Sequence, residues 1–225
     1  MKCLILALCA ASCGAAARGQ QPAQPTPGQD APGPVKKANA RPAAEPAAPP
    51  EPFDKAAATQ LAGQCVRLET EEGAVEVEML AEAAPETVRN FLNLAATGAY
   101  DTTVFGRVVK GFVIQGGDLA TREKLTPELA RRAQRTIPDE PNPVKHVRGV
   151  VSMARTSEPN SATTSFFILV GDGSHLDGTF SAFGRVRSGM EVVDRINQAP
   201  VDGEKPLKPV RLTRATVAPC RSEQK

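Results

Sequence analysis

Arg107 and Gln115 stand in a stretch, 104–118, that is otherwise almost wholly apolar: Val-Phe-Gly-Arg-Val-Val-Lys-Gly-Phe-Val-Ile-Gln-Gly-Gly-Asp. Long charged side chains are almost never fully buried unless paired. An arginine on so oily a strand therefore needs a carboxylate partner or a ligand-facing cleft. A fixed guanidinium in a cleft can donate hydrogen bonds to electron density that develops only in a transition state, and its planar fork holds a neighbouring carbonyl as well. Other chemistries lack their parts. His146 and His175 are the only histidines and no Cys/His cluster exists, so no metal site is expected. Asp172 and Asp177 are too few for a calcium loop. Ser174, His175 and Asp177 are close neighbours on one short segment, which rarely converges on a common point, and no nucleophile elbow accompanies them. With 27 Lys+Arg against 25 Asp+Glu the chain has no electrostatic footprint for nucleic acid. No cofactor is implied.

The elements that must position Arg107 begin with its own strand. Apolar runs at 104–109 and 112–114, parted by Lys110-Gly111, read as a hairpin with a two-residue turn. Gly116-Gly117 then allows a sharp turn or a close backbone approach. Upstream, 65–69 and 74–79 alternate apolar and charged residues and read as half-buried strands joined across Glu72-Gly73. Pro85 opens a helix in which Val88, Phe91, Leu92 and Ala95 form one stripe, closed by Gly98. Thr126 caps a short basic helix with Pro127 first and Arg131, Arg132 and Arg135 near its end. Pro138, Pro141 and Pro143 make the next stretch irregular. Runs 149–154 and 166–170 are buried strands. Ser188 and Glu191 form a capping box for a helix with Met190, Val193 and Ile196 inward. The last strand, 210–217, breaks its alternation at Arg214, which reads as a bulge.

The wording around Arg107 resembles the cyclophilin family of peptidyl-prolyl isomerases, whose signature reads approximately Phe-His-Arg-Val-Ile-x-Gly-Phe-Met-Ile-Gln-Gly-Gly-Asp. Gly106 here replaces its His and Val113 its Met. Ser-Met-Ala-Arg-Thr at 152–156 and Ser-Ala-Thr-Thr-Ser-Phe-Phe-Ile at 161–168 continue the likeness. The resemblance implies a mostly β fold, a closed eight-stranded antiparallel barrel capped by two helices, over residues 59–222; the short basic helix, in an insertion at 119–143, departs from the glycine-rich loop usual there. It implies a catalytic role for Arg107. It puts Phe112, Val113, Phe167, Leu176 and Phe180 around a proline ring, and Gln115 with the Ala154–Arg155 main chain along the peptide. Ser165 stands for the family's Gln, and His175 stands where some members have Trp. The activity implied is isomerisation of X–Pro bonds in proline-containing polypeptides by a monomer. The alternative is a catalytically weak proline-peptide-binding module. The insertion is read as a solvated charged face, with acidic clients or anionic headgroups as the alternatives.

Residues 1–17 hold Lys2, a short apolar run and small residues, an export signal too short to span a membrane. Two processing sites compete. Ala15-Ala16-Ala17 fits an ordinary signal peptidase. Ala10-Ala11-Ser12-Cys13 resembles a lipobox, which would make Cys13 a lipidated N-terminus, and a cysteine beside the cleavage zone favours it. Either way the reading is export to the periplasm, with a lipid anchor through Cys13 in the second case. Residues 18–58 are Pro/Ala-rich and lack the large apolar groups that offset ordering entropy, so they read as a disordered spacer. With Cys3, Cys9 and Cys13 assigned to the leader, Cys65 and Cys220 remain. Cyclophilin-like terminal strands are antiparallel neighbours, and export permits a bridge, so the resemblance implies a Cys65–Cys220 disulfide.

Overall fold

The computed structural model describes residues 50–220; the leader, Cys13 and most of the spacer lie outside the described residues. Ten strands and four α-helices follow in the order α1 (Ala58–Leu61), β1 (Gln64–Thr70), β2 (Gly73–Met79), α2 (Pro85–Ala96), β3 (Arg107–Val109), β4 (Val113–Gly116), α3 (Pro127–Arg132), β5 (Val150–Met153), β6 (Phe166–Leu169), β7 (Ala182–Ser188), α4 (Met190–Gln198), β8 (Val201–Asp202), β9 (Lys205–Pro206) and β10 (Leu212–Pro219). Eight of the strands form one antiparallel sheet in the order β10-β1-β2-β7-β5-β6-β4-β3, and β8 and β9 form a separate hairpin.

The expected closed barrel needs correcting. β3 and β10, at the two ends of that order, share no ladder. The curled sheet meets itself at one isolated bridge between Val104 and Arg211, where Phe105 N–H donates to the Val210 carbonyl and Leu212 N–H to that of Thr103. The bulge in β10 falls beside Arg214, where the register with β1 runs from Glu69–Arg214 straight to Thr70–Leu212.

Strand alternation sorts side chains to two faces. The inner face buries Val66, Leu68, Val75, Val77, Val108, Ile114, Phe166 and Ile168 against α2 and α4. Phe91 of α2 packs on Tyr100, Phe166 and Phe183 with ring centroids 4.8–5.2 Å apart, the separation aromatic pairs prefer. The outer face of β4, β5 and β6 carries a second apolar cluster, Val113, Val150, Phe167 and Leu169, with Phe112, Leu176 and Phe180 leaning on it. The site is built on that outer face.

Pro85 occupies the first turn of α2, and Gly98 beyond its end has φ +68, as the sequence predicts. Thr126 caps α3 by accepting from Leu129 N–H. The capping box at Ser188 does not form. Ser188 is still in β7, paired with Glu76, and Gly189 with φ +91 precedes α4. A Cβ on Gly189 would collide with the Ala74 carbonyl, so only glycine admits this entry.

The insertion is not merely a solvated face. Arg132 grips Glu51 through Nε at 2.6 Å and Nη2 at 3.2 Å and also reaches Asn90, while Arg135 meets Glu51 at 3.5 Å. Phe53 packs on the core, and Arg89 donates to the carbonyls of Phe53 and Ala56. Residues 51–57, which composition assigns to the spacer, are thus folded against α2. Two arginines of the insertion spend their charge holding them.

Candidate active site

A three-residue turn, not the expected two, joins β3 to β4. Val109 pairs with Val113, leaving Lys110, Gly111 and Phe112 outside the ladder. Gly111 takes φ +70, and Phe112 leaves the sheet plane toward the outer face. Asn197 of α4, buried at 1% exposure, holds this turn: its Oδ1 accepts from Gly111 N–H at 2.9 Å, and its Nδ2 donates to the carbonyls of Val109 and Val113. Gly171 lets the Gly111 carbonyl approach closer than any Cβ would allow.

The outer-face register then lines up one row across four strands. Arg107 is paired with Gln115, Gln115 with Phe167, and Phe167 with Ser152. At ~4.8 Å per strand step, a guanidinium, an amide and a phenyl ring become adjacent without any being close in sequence. Around them lies a cleft of about 260 Å³ lined by Arg107, Phe112, Val113, Gln115, Ala154, Arg155, Phe167, Leu176 and Phe180. Phe180 meets Phe167 edge-on at 6.0 Å, and the Arg155 guanidinium lies 4.9 Å over the Phe180 ring. Two of the expected residues stand back from the lining. Ser165 contributes its carbonyl, which accepts from Ala154 N–H at 2.9 Å. His175 is exposed and stacks on Phe112 at 5.2 Å.

Arg107 has both the cleft and the carboxylate. Its Nη1 donates to Gln115 Oε1 at 3.2 Å, while Nε and Nη2 hold the two carboxylate oxygens of Glu204 at 2.6 and 3.2 Å. This ion pair lowers the Glu204 pKa, first through the hydrogen bond and then through the charge of Arg107. Glu204 lies 97 residues away on the β8–β9 turn, an element the sequence reading did not anticipate.

The far wall of the cleft is fixed by a second buried network. His146, fully buried, places Nδ1 3.2 Å from Asp177 Oδ1 and Nε2 3.2 Å from Ser152 Oγ. The imidazole that meets Asp177 is thus that of His146, not that of His175 two residues away. Although Ser, His and Asp stand in a line, Ser152 is fully buried and its hydroxyl donates to the Ser181 carbonyl at 2.8 Å. It is closed to any substrate. The network ties the 174–177 turn, and with it Leu176, to the central strand β5.

The geometry has matches among known proteins. The family model described as cyclophilin type peptidyl-prolyl cis-trans isomerase/CLD matches residues 65–217. The chain belongs to the cyclophilin family. This cyclophilin chain is 37% identical over 153 residues to peptidyl-prolyl cis-trans isomerase A of Dickeya dadantii, spanning 64% of this chain and 77% of that protein. It is 37% identical to peptidyl-prolyl cis-trans isomerase cypE of Dictyostelium discoideum, over 68% of this chain and 97% of that one. A cyclophilin structure from Cryptosporidium parvum, determined in the presence of the dipeptide Ala-Pro, superposes with a TM-score of 0.61 at 32% identity, over 68% of this chain and 98% of that one.

Proposed function

We propose that this cyclophilin catalyses cis–trans rotation of X–Pro bonds in exported polypeptides, with Arg107 stabilising the twisted amide. The observation that carries the proposal is a guanidinium held at the wall of an apolar cleft, with Gln115 beside it. Amide resonance sets a barrier of ~18–20 kcal/mol, and no group is transferred. A catalyst needs only to bind the twisted peptide better than either planar form. As the C–N bond twists, conjugation is lost and the prolyl nitrogen regains a lone pair. A guanidinium N–H aimed at that nitrogen gains a hydrogen bond that exists in neither ground state. Phe112, Val113, Phe167, Leu176 and Phe180 retain the proline ring while the segment before it turns. Gln115 and the main chain at 154–155 hold the flanking peptide.

Binding of proline-containing segments is supported by the Ala-Pro dipeptide used with the Cryptosporidium relative. Export, with periplasmic work and a lipid anchor through Cys13, is supported by the apolar leader and by the Cys65–Cys220 bond, since disulfides persist in oxidising compartments.

Removing one transition-state donor of this kind costs ~2–4 kcal/mol. Arg107→Ala in the full chain is therefore expected to lose most of its turnover on a proline tetrapeptide, with peptide affinity largely kept. Equal turnover of variant and wild type would take Arg107 out of the mechanism. Affinity without turnover in the wild type would favour the binding-module reading.

A further inference from the structure

Arg107 reaches its cleft on a flexible side chain, and a preorganised donor is worth far more than one that must be found at each turnover. What fixes it is not on its own strand. A guanidinium has five N–H donors in a rigid fork. Glu204 takes one hydrogen from Nε and one from Nη2 in the paired geometry that fixes the plane as well as the position, and Gln115 takes one from Nη1. One hydrogen on each terminal nitrogen remains for a substrate. Gln115 belongs to the cleft lining and Glu204 does not. The carboxylate therefore grips the edge of the fork away from the cleft.

Glu204 is itself anchored. Its carbonyl accepts from Val108 N–H at 2.8 Å, one residue from Arg107. Its turn is set by the Val201–Pro206 and Asp202–Lys205 pairs and by Gly203 at φ +61. Leu207 N–H donates to the Pro200 carbonyl at the hairpin base. The hairpin thus presents one carboxylate at a fixed place beside β3.

We infer that Glu204 is a positioning residue for the isomerase reaction, holding the Arg107 fork at the orientation the twisted prolyl nitrogen requires. The inference rests on the isomerase reading of the cleft and adds to it a role for the β8–β9 hairpin. The carboxylate touches no reacting atom. Its effect passes wholly through Arg107, and it should therefore appear in kcat rather than in KM.

The test uses the full chain with Glu204→Ala, Glu204→Gln and Arg107→Lys. Turnover is read by a protease-free peptide exchange assay, and the Arg107 Nε–H resonance is identified by its absence in Arg107→Lys. Glu204→Ala is expected to lower kcat by about tenfold or more with KM little changed. Glu204→Gln, which keeps one acceptor for Nε–H, should recover part of the loss. The Arg107 Nε–H should be protected from solvent exchange in the wild type and lose that protection in Glu204→Ala. Wild-type turnover in both Glu204 variants, or unchanged protection of that N–H, would overturn the inference. A Glu204→Ala loss that tracks unfolding is separated by Glu204→Gln, which must show the kcat defect while folded. A wild-type chain with no turnover at all would instead remove the isomerase reading, and the exchange measurement alone then decides whether Glu204 holds the fork.

Discussion

Asp177 collects three donors on one carboxylate: the His146 backbone N–H at 2.8 Å, the His146 ring at 3.2 Å and Lys145 Nζ at 3.1 Å. These contacts, the backbone hydrogen bond foremost, bring its pKa down from 3.8 to about 2. A carboxyl depressed in the folded state stabilises the fold fully above its unfolded pKa and ceases to do so as pH falls through the folded one. The contribution of Asp177 is therefore present above pH 3.8 and disappears toward pH 2. Denaturant midpoints of wild type and Asp177→Asn should differ near neutral pH, converge over that window and coincide below it. A constant difference at every pH would show that the charge of Asp177 is not what holds the 174–177 turn. The same residue shows where pattern reading of single residues stops: its true partner lies 31 residues away, and nothing in local spacing points to it.

At the scale of elements, the hairpin that carries Arg107 depends on a helix near the end of the fold. Asn197 of α4 satisfies the Gly111 donor of the Lys110–Phe112 turn and the Val109 and Val113 carbonyls on either side of it, all from a buried position. Leaving such groups unpaired costs ~1–3 kcal/mol each when they stay buried. Asn197→Ala is expected to destabilise the chain by about 2–4 kcal/mol and to lower turnover by loosening Phe112. A variant as stable and active as wild type would mean that the turn holds its own shape. The long periodic elements were legible in the sequence: β1, β2 and α2 carry clean two- or 3.6-residue patterns, and the Arg107 hairpin shows as two apolar runs parted by Lys110-Gly111. β7 was missed because Gly184, Arg185 and Arg187 break its alternation. Gly184 is there because a Cβ would press on Val77 Cγ1 at 2.9 Å. The β8–β9 hairpin was missed because its strands are two residues each, too short to show any period. The cleft lining was legible because it lies within the regular elements and the loops the resemblance covers; Glu204 was not, because its hairpin shows only the Asp202-Gly203 turn pair, with no flanking period to mark strands.

Over the whole domain, the sheet leaves two ends that meet at a single bridge, so the pairing of β10 with β1 must hold the C-terminal strand in place. Cys65 and Cys220 are bonded at the end of this ladder where Cys65 faces Ala218, with Cα atoms 4.9 Å apart and a sequence separation of 155. The Val104–Arg211 seam lies at the other end, beside Leu212. In the chain-entropy account, closing so long a loop restricts the unfolded chain by about 5 kcal/mol, and strain or residual structure reduces the figure. The cleft draws on β3, β4 and the segments around β5 and β6, none of which touches the bridge in the ladder. Replacing both cysteines by alanine should therefore lower stability by about 3–5 kcal/mol and leave turnover per folded molecule unchanged. A drop in activity without a drop in stability would show the reverse coupling, that the terminal strands act on the cleft through the seam.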